Sequence, residues 1–311
     1  MLHHIGSRIL TPILLSAIVL GVLTPAPTQA ARLFGTSPLP HTTFNTFLRP
    51  YQLRPANARP AVINRVPIDR IVILSPVVRV HIRALYASGL QKGNNPQSFS
   101  TLGDSTVAGK LFMERFNTNK VNLGAFDYLK PALIAFTPSF SRTSASVRIG
   151  LHSWTALNPV WANKQLCEPN ENGVDCEFRL NKPSILFIHL GANDTANNVF
   201  DKNMRKIVEH VLNAGVVPVL MTKAEPPDSK THANNDSLRA IAKAYDVPLV
   251  DFETLANTLP DYGLGPDKVH MTSFNQVDYT EPALFKSGHA MHNLAALIAL
   301  DAVWRTATTI E

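Results

Sequence analysis

Ser184-Ile185-Leu186-Phe187-Ile188-His189-Leu190-Gly191-Ala192-Asn193-Asp194 is the stretch whose reading decides the fold. Its first seven residues are almost continuously apolar, with β-branched and aromatic side chains and no polar alternation. A strand of this kind is buried on both faces, which is the habit of parallel sheets rather than of hairpins. Gly191 stops it, and polar residues follow at what would be its carboxyl end. The strand therefore needs helical cover on both sides.

The flanking sequence supplies that cover. Downstream, Phe200, Met204, Ile207, Val208, Val211 and Leu212 mark one face of a long helix that ends at Gly215. Val216–Met221 reads as the next strand. Leu238, Ile241, Ala242 and Tyr245 predict a second amphipathic helix, Val247–Phe252 another strand, and Met291, Leu294, Leu297 and Ile298 a C-terminal helix. Upstream, Phe99–Leu102 reads as a short strand, followed by Val107, Ala108, Leu111, Phe112 and Phe116 at helical spacing. Ala145–Ile149 reads as a strand, and Trp154–Trp161 as the start of a helix. Ile71–Leu90 contains a predicted helix after Pro76, closed by Gly93-Asn94-Asn95-Pro96. Such alternation argues for an α/β domain, a parallel sheet with helices on both faces.

The ends of the chain are of another character. Arg8, then Ile9–Leu23, then Pro25, Pro27 and Thr28-Gln29-Ala30 follow the order of a secretory signal peptide over 1–30 cleaved after Ala30, with an uncleaved anchor as the alternative. Residues 31–68, rich in Pro, Arg and Asn, read as a linker or an extended arm, leaving 69–311 as the folded domain. Export would place the protein in a periplasmic or extracellular, oxidising compartment. There Cys167 and Cys176, separated by a Pro-, Asn- and Gly-containing loop, are expected to form a disulfide that staples that loop. Two cysteines are too few for a disulfide scaffold or a Cys-rich zinc site.

Composition excludes other classes. Of 311 residues, 45% are hydrophobic and 17% charged, which rules out disorder over most of the length. Only one run is apolar enough to suggest a membrane. The net charge of +6 is thinly spread, with no basic run of five, so nucleic acid is a weak reading. No phosphate-binding glycine cluster appears, nor any His/Asp/Glu set with metal spacing.

Ligands of parallel sheets bind beyond the strand carboxyl ends. Gly103-Asp104-Ser105-Thr106 follows the first strand. It is expected to open directly onto a helix, whose N-terminus would favour negative charge at Ser105, while the Ser105 N–H could donate to an oxyanion. Gly191-Ala192-Asn193-Asp194 follows the central strand. An Asn there can donate to an oxyanion without adding charge, although Asn or Asp capping the next helix is the plainer alternative. Asp267-Lys268-Val269-His270 precedes the last helix. A serine needs a base at neutral pH, His has the suitable pKa, and a carboxylate three residues earlier can reach the same ring.

Taken together, Gly103-Asp104-Ser105, Gly191-x-Asn193-Asp194 and Asp267-x-x-His270, in that order, resemble the SGNH (GDSL-like) hydrolases over roughly residues 98–305. The resemblance implies a flavodoxin-like sheet and ester hydrolysis through an acyl-enzyme. Ser105 would be the nucleophile, His270 the base and Asp267 its orienter. The Ser105 N–H, the Asn193 side chain and a glycine N–H would form the oxyanion hole. Gly150, after the strand 145–149, is the preferred glycine, and Gly124 in Asn122-Leu123-Gly124 the alternative. Thr106 departs from the aliphatic residue usual after the serine. No cofactor is required. The expected substrates are short acyl or O-acetyl esters, small or on carbohydrate, with no nucleic acid and no membrane span after signal cleavage. Acyl transfer on the same machinery and non-catalytic glycan binding are the alternatives. His189, His289 and His292 read as core or helix residues. Trp154 and Trp161 could wall a pocket or pack in the core.

Overall fold

The structure, a computed structural model, describes residues 59–118, 120–195 and 197–308. The predicted signal segment and its cleavage point at Ala30 lie outside the described residues.

The described chain opens with a hairpin, β1 (Val62–Ile63) and β2 (Val66–Pro67), joined by Asn64 and Arg65 at φ +48° and +69°. Two consecutive positive φ angles are the requirement of the tightest hairpin turn. Ile63 is buried in the main core, and the Asn64 side chain donates to the Phe285 carbonyl at 2.8 Å. This hairpin falls within the stretch read as linker or arm.

Five strands build the sheet: β3 (Val72–Ile73), β4 (Asn95–Gly103), β5 (Pro183–His189), β6 (Val217–Met221) and β7 (Leu249–Val250), in the spatial order β3-β7-β6-β5-β4. β4 to β7 are mutually parallel, while β3 closes the edge antiparallel to β7. Among the described residues five longer helices accompany it: α1 (Pro76–Gln91), α2 (Gly173–Asn181), α3 (Asn197–Asn213), α4 (Ala233–Ala244) and α5 (Gly288–Thr308).

The period-two geometry of β5 divides the core in two. Ile185 and Phe187 face one side, with Phe99, Val217 and Val219, against α1 and α5. Leu186, Ile188 and Leu190 face the other, with Leu102 and Leu220, against α3 and α4. Every residue of β5 is buried, which is why this strand shows no alternation in sequence. Full burial of one such Leu or Phe side chain contributes roughly 1.5–3 kcal/mol. α5 is buried around nearly its whole circumference from Gly288 to Leu300, as a helix apolar on all sides must be. Among the described residues no helix is long and apolar enough to cross a membrane.

Four local expectations are corrected. Ala145–Ile149 is not a strand; it makes one parallel bridge, Val147 to Gly103. The hydroxyls of Ser144 and Ser146 bond each other at 2.9 Å, and Ser146 donates to the Thr101 carbonyl of β4 at 2.8 Å, so side-chain bonds stand in for most of the ladder. The run after Ser105 is not a helix but two short 3₁₀ turns, Gly109–Leu111 and Glu114–Phe116. Gly109 and Met113 have positive φ, and Asn293 of α5 takes over the backbone there, accepting from Met113 N–H and donating to the Leu111 carbonyl at 2.7 Å. Trp154–Trp161 forms turns, with only Pro159–Trp161 in 3₁₀ conformation. The cysteine segment is only partly loop, because α2 begins at Gly173, where Asn172 accepts from the Val174 and Asp175 N–H groups. Cys167 and Cys176 are disulfide-bonded as expected, and both are buried with Ala162 in a small satellite core.

Candidate active site

β4 ends at Gly103, where no side chain fits. A Cβ there would lie 2.2 Å from Val107 Cγ2 and 2.8 Å from the His189 carbonyl oxygen. The chain then turns through Asp104, Ser105 and Thr106. Since no helix follows, Ser105 gains nothing from a helix N-terminus. Its turn is held instead by Asp104, fully buried, whose Oδ1 accepts from the Thr106 N–H at 2.9 Å and the Thr106 hydroxyl at 2.7 Å. Burial pushes the Asp104 carboxyl up, and the bonds from Thr106 oppose that shift. Thr106 Oγ1 also lies 2.8 Å from His189 Nδ1. The threonine found where an aliphatic residue is usual therefore links a buried carboxylate to a buried imidazole.

Ser105 meets the second element across the sheet edge. His270 Nε2 lies 3.0 Å from Ser105 Oγ, and His270 Nδ1 lies 2.7 Å from Asp267 Oδ2. A carboxylate only accepts, so Nδ1 is assigned the proton and Nε2 presents its lone pair to the hydroxyl. The other oxygen, Asp267 Oδ1, accepts from the Val269 and His270 N–H groups, each at 3.0 Å, around Lys268 at φ +56°. The bond from the His270 ring, then those two N–H groups, hold the Asp267 carboxyl down at about 2. The loop is anchored in turn by Gly265 N–H donating to the His270 carbonyl at 2.7 Å. The side chains of His270 and Asp267 are 48% and 54% exposed, so solvent screens the Coulomb attraction and the hydrogen-bond geometry dominates.

The expected oxyanion donors lie on two loops that touch. Asn193 Nδ2 donates to the Leu151 carbonyl at 3.2 Å and, at a weak 3.4 Å, to Asp104 Oδ2. Gly150 has φ +75° in a turn closed by Leu151 N–H to the Arg148 carbonyl at 3.0 Å, a conformation glycine adopts without strain. Arg148 N–H donates to the Gly103 carbonyl at 3.0 Å, tying this turn to the end of β4. Gly124 sits elsewhere, packed against Tyr279 and Thr280, its neighbour Asn122 exchanging bonds with Val277 and Tyr279. Of the two glycines, Gly150 is the one on a segment bonded to both the Ser105 strand and Asn193.

Asp194 does not cap the next helix among the described contacts. Both its oxygens lie 3.1 Å from Ser153 N, and Ser153 Oγ donates to Oδ1 at 2.7 Å. Two fully buried asparagines of α4, missed in the sequence reading, hold the neighbouring loops. Asn234 donates to the Gly191 and Asp194 carbonyls at 3.1 and 2.7 Å. Asn235 accepts from Lys223 N–H at 2.9 Å and donates to its carbonyl at 3.0 Å. The adjacent polar pair on an otherwise amphipathic helix was the signal that could have found them. Trp154 is half exposed and meets Trp161 edge-on at 5.8 Å, so it is not a core residue.

The fold is similar to that of several solved esterases. The acetylxylan esterase Axe2 of Geobacillus stearothermophilus is 17% identical, with 67% of this chain and 96% of that one covered and a TM-score of 0.42. Esterase EstA of Pseudoalteromonas sp. is 16% identical, with 65% and 98% covered and a TM-score of 0.39. A two-domain esterase active on acetylated mannans is 13% identical, with 78% and 57% covered and a TM-score of 0.47. No curated protein sequence matches. The sequence profile of the GDSL-like Lipase/Acylhydrolase family matches residues 101–273, more than half of the chain and the whole span from the Ser105 turn to His270, and the chain thus belongs to this family of ester-hydrolysing enzymes.

Proposed function

We propose that the protein is an exported serine esterase that removes short acyl groups, acetyl above all, from small or carbohydrate alcohols. The observation that carries the reading is the chain Ser105 Oγ–His270 Nε2, His270 Nδ1–Asp267 Oδ2 at 3.0 and 2.7 Å. Ser105 attacks the ester carbonyl while its proton passes to His270 Nε2. The tetrahedral oxyanion accepts from the Ser105 and Gly150 N–H groups and from Asn193, which gives up its weak bond to Asp104. His270 then protonates the departing alkoxide, and the acyl-enzyme forms. Water attacks that ester with His270 again as base, and Ser105 leaves with the proton. Asp267, ionised throughout, keeps the imidazole in one tautomer.

The short acyl group is supported by a cavity of about 60 Å³ whose lining includes Thr106, Ala192 and Val269, the chain neighbours of Ser105, Asn193 and His270, together with Met271, Lys223 and Glu225. A water needs roughly 10–15 Å³ by the same measure, so this space holds a few heavy atoms. Export is supported by the disulfide Cys167–Cys176 together with the signal-like first thirty residues. Labelling with an organophosphonate and a panel of acetyl, butyryl and octanoyl esters test the reading. The expected result is a single adduct on Ser105, lost in Ser105→Ala, and a rate falling as the acyl chain lengthens. An adduct on another serine, or full activity of Ser105→Ala, refutes it.

A further inference from the structure

Two neighbouring residues at the end of β5 grip the same loop in different ways. Asn193 reaches the Leu151 carbonyl, and Asp194 reaches Ser153, through both the backbone N–H and the hydroxyl. Between the end of β4 and these two anchors the chain carries Gly150, whose turn begins at Arg148 on the Gly103 carbonyl. Asp194 and Ser153 are 6% and 2% exposed, and the Ser153 hydroxyl accepts from Asn203 of α3 at 3.3 Å. A buried carboxylate taking bonds from one residue's backbone and side chain fixes that residue in position and orientation. Gly150 itself has open space around it, with nothing within 4 Å of a built Cβ. Its placement therefore comes from its neighbours, through the bonds on either side of it and the burial of Leu151 in the core.

We infer that Asp194 is a positioning residue for the reaction: it sets, through Ser153, the loop that brings the Gly150 N–H to the oxyanion. The inference rests on the esterase reading and on Gly150 as an oxyanion donor. Asp194 touches no reacting atom. Its effect is exerted where negative charge develops, so its loss lowers kcat and leaves ground-state binding nearly unchanged. A misplaced donor forfeits part of the roughly 10²–10³-fold that one such group contributes.

The experiment uses the full-length protein and an acetyl ester, with three variants. Asp194→Ala removes both acceptors, Asp194→Asn keeps one carbonyl oxygen for Ser153, and Ser153→Ala removes the 2.7 Å bond to Asp194 together with the 3.3 Å bond from Asn203 while leaving the Ser153 N–H in place. Expected are a drop in kcat of about 30- to 100-fold for Asp194→Ala with KM within threefold, recovery of most of that loss in Asp194→Asn, and about a fivefold drop for Ser153→Ala. Affinity for a boronic acid, which binds Ser105 as a tetrahedral anion, should fall in parallel with kcat across the series. A role in stability alone predicts instead lowered melting temperatures with unchanged kcat and boronate affinity of the folded fraction, and that result overturns the inference. If Asp194→Ala does not fold, Asp194→Asn and Ser153→Ala decide: kcat within 1.5-fold of wild type in both refutes it. Phosphonate labelling of wild type separates the two levels. Without an adduct at Ser105 the esterase reading itself fails, whereas an adduct with unaffected variants sinks only the role of Asp194.

Discussion

Acidification should unfold this protein through three buried histidines. His189 of β5 and His289 and His292 of α5 are all almost fully buried. Burial, aided by Lys223, pushes His189 down to about 3, and burial, aided by Arg115, pushes His289 down to about 4. His292 is driven well below its ordinary 6.5 by burial, and neither of its ring nitrogens has a hydrogen-bond partner among the described residues. A depressed pKa in the folded state means that the unfolded chain binds more protons below pH 6.5. Stability is therefore fully present above 6.5 and is lost as pH falls from there toward the folded values. Between pH 7.5 and 5.0 an imidazole with an unfolded pKa of 6.5 takes up its proton only on unfolding, a cost of about 2 kcal/mol for each of His189 and His289, or about 4 together. His292 adds in the same direction. His210, raised by its bond to Asp175, and Asp104, raised by burial, act in the opposite sense. Against a typical total of 5–15 kcal/mol the loss is large. Urea unfolding at pH 7.5, 6.5 and 5.0 measures it. His292→Phe, placed beside Phe112 and Phe252 at 4.9 and 4.7 Å from the native ring, removes one titrating group and should flatten the acid limb. Equal stability of the wild type at pH 7.5 and 5.0 would refute the reasoning.

Three other outcomes are expected. Asn193→Ala should lower kcat by about 10²–10³-fold with little change in KM, since the lost donor acts on the transition state; steady-state kinetics within threefold of wild type would remove Asn193 from the oxyanion hole. Reduction of Cys167–Cys176, a link across nine positions, should destabilise the fold by at most about 2–3 kcal/mol without abolishing it, as a thermal melt with and without reductant will show. N-terminal sequencing of exported material should begin near Ala31, and recovery of peptides from Met1 to Leu23 would contradict cleavage.

The central strand and the helices α3, α4 and α5 were legible because burial on both sheet faces imposes a pattern on side chains. The blocks at Ser105 and Asn193 were legible because each follows a strand directly, and Asp267-x-x-His270 because its spacing lets the carboxylate reach the ring. What sequence hid was decided by single polar side chains acting at long range. Asn293 satisfies the backbone at Leu111 and Met113, and this allows Phe112 and Phe116 to enter the core from turns although their spacing is helical. Ser144 and Ser146 dissolve a strand whose apolar neighbours promised one. Asp194, placed where a carboxylate usually caps a helix, is bonded among the described contacts to Ser153, forty-one positions away. Thr106 looked like a mild departure, yet it is the bridge between Asp104 and His189.

Asn234 and Asn235 have a consequence for how this enzyme can change. Each grips main-chain atoms only: the carbonyls of Gly191 and Asp194 in one case, both polar groups of Lys223 in the other. The path of two loops at the mouth of the sheet is thus written in part on a helix behind them. Ala192 and Ala224, which line the small cavity beside Ser105, can be exchanged for other residues while the backbone that carries them stays where it is. On the proposed reading, in which that cavity takes the acyl group, selectivity can drift at those two positions without disturbing the architecture around the serine.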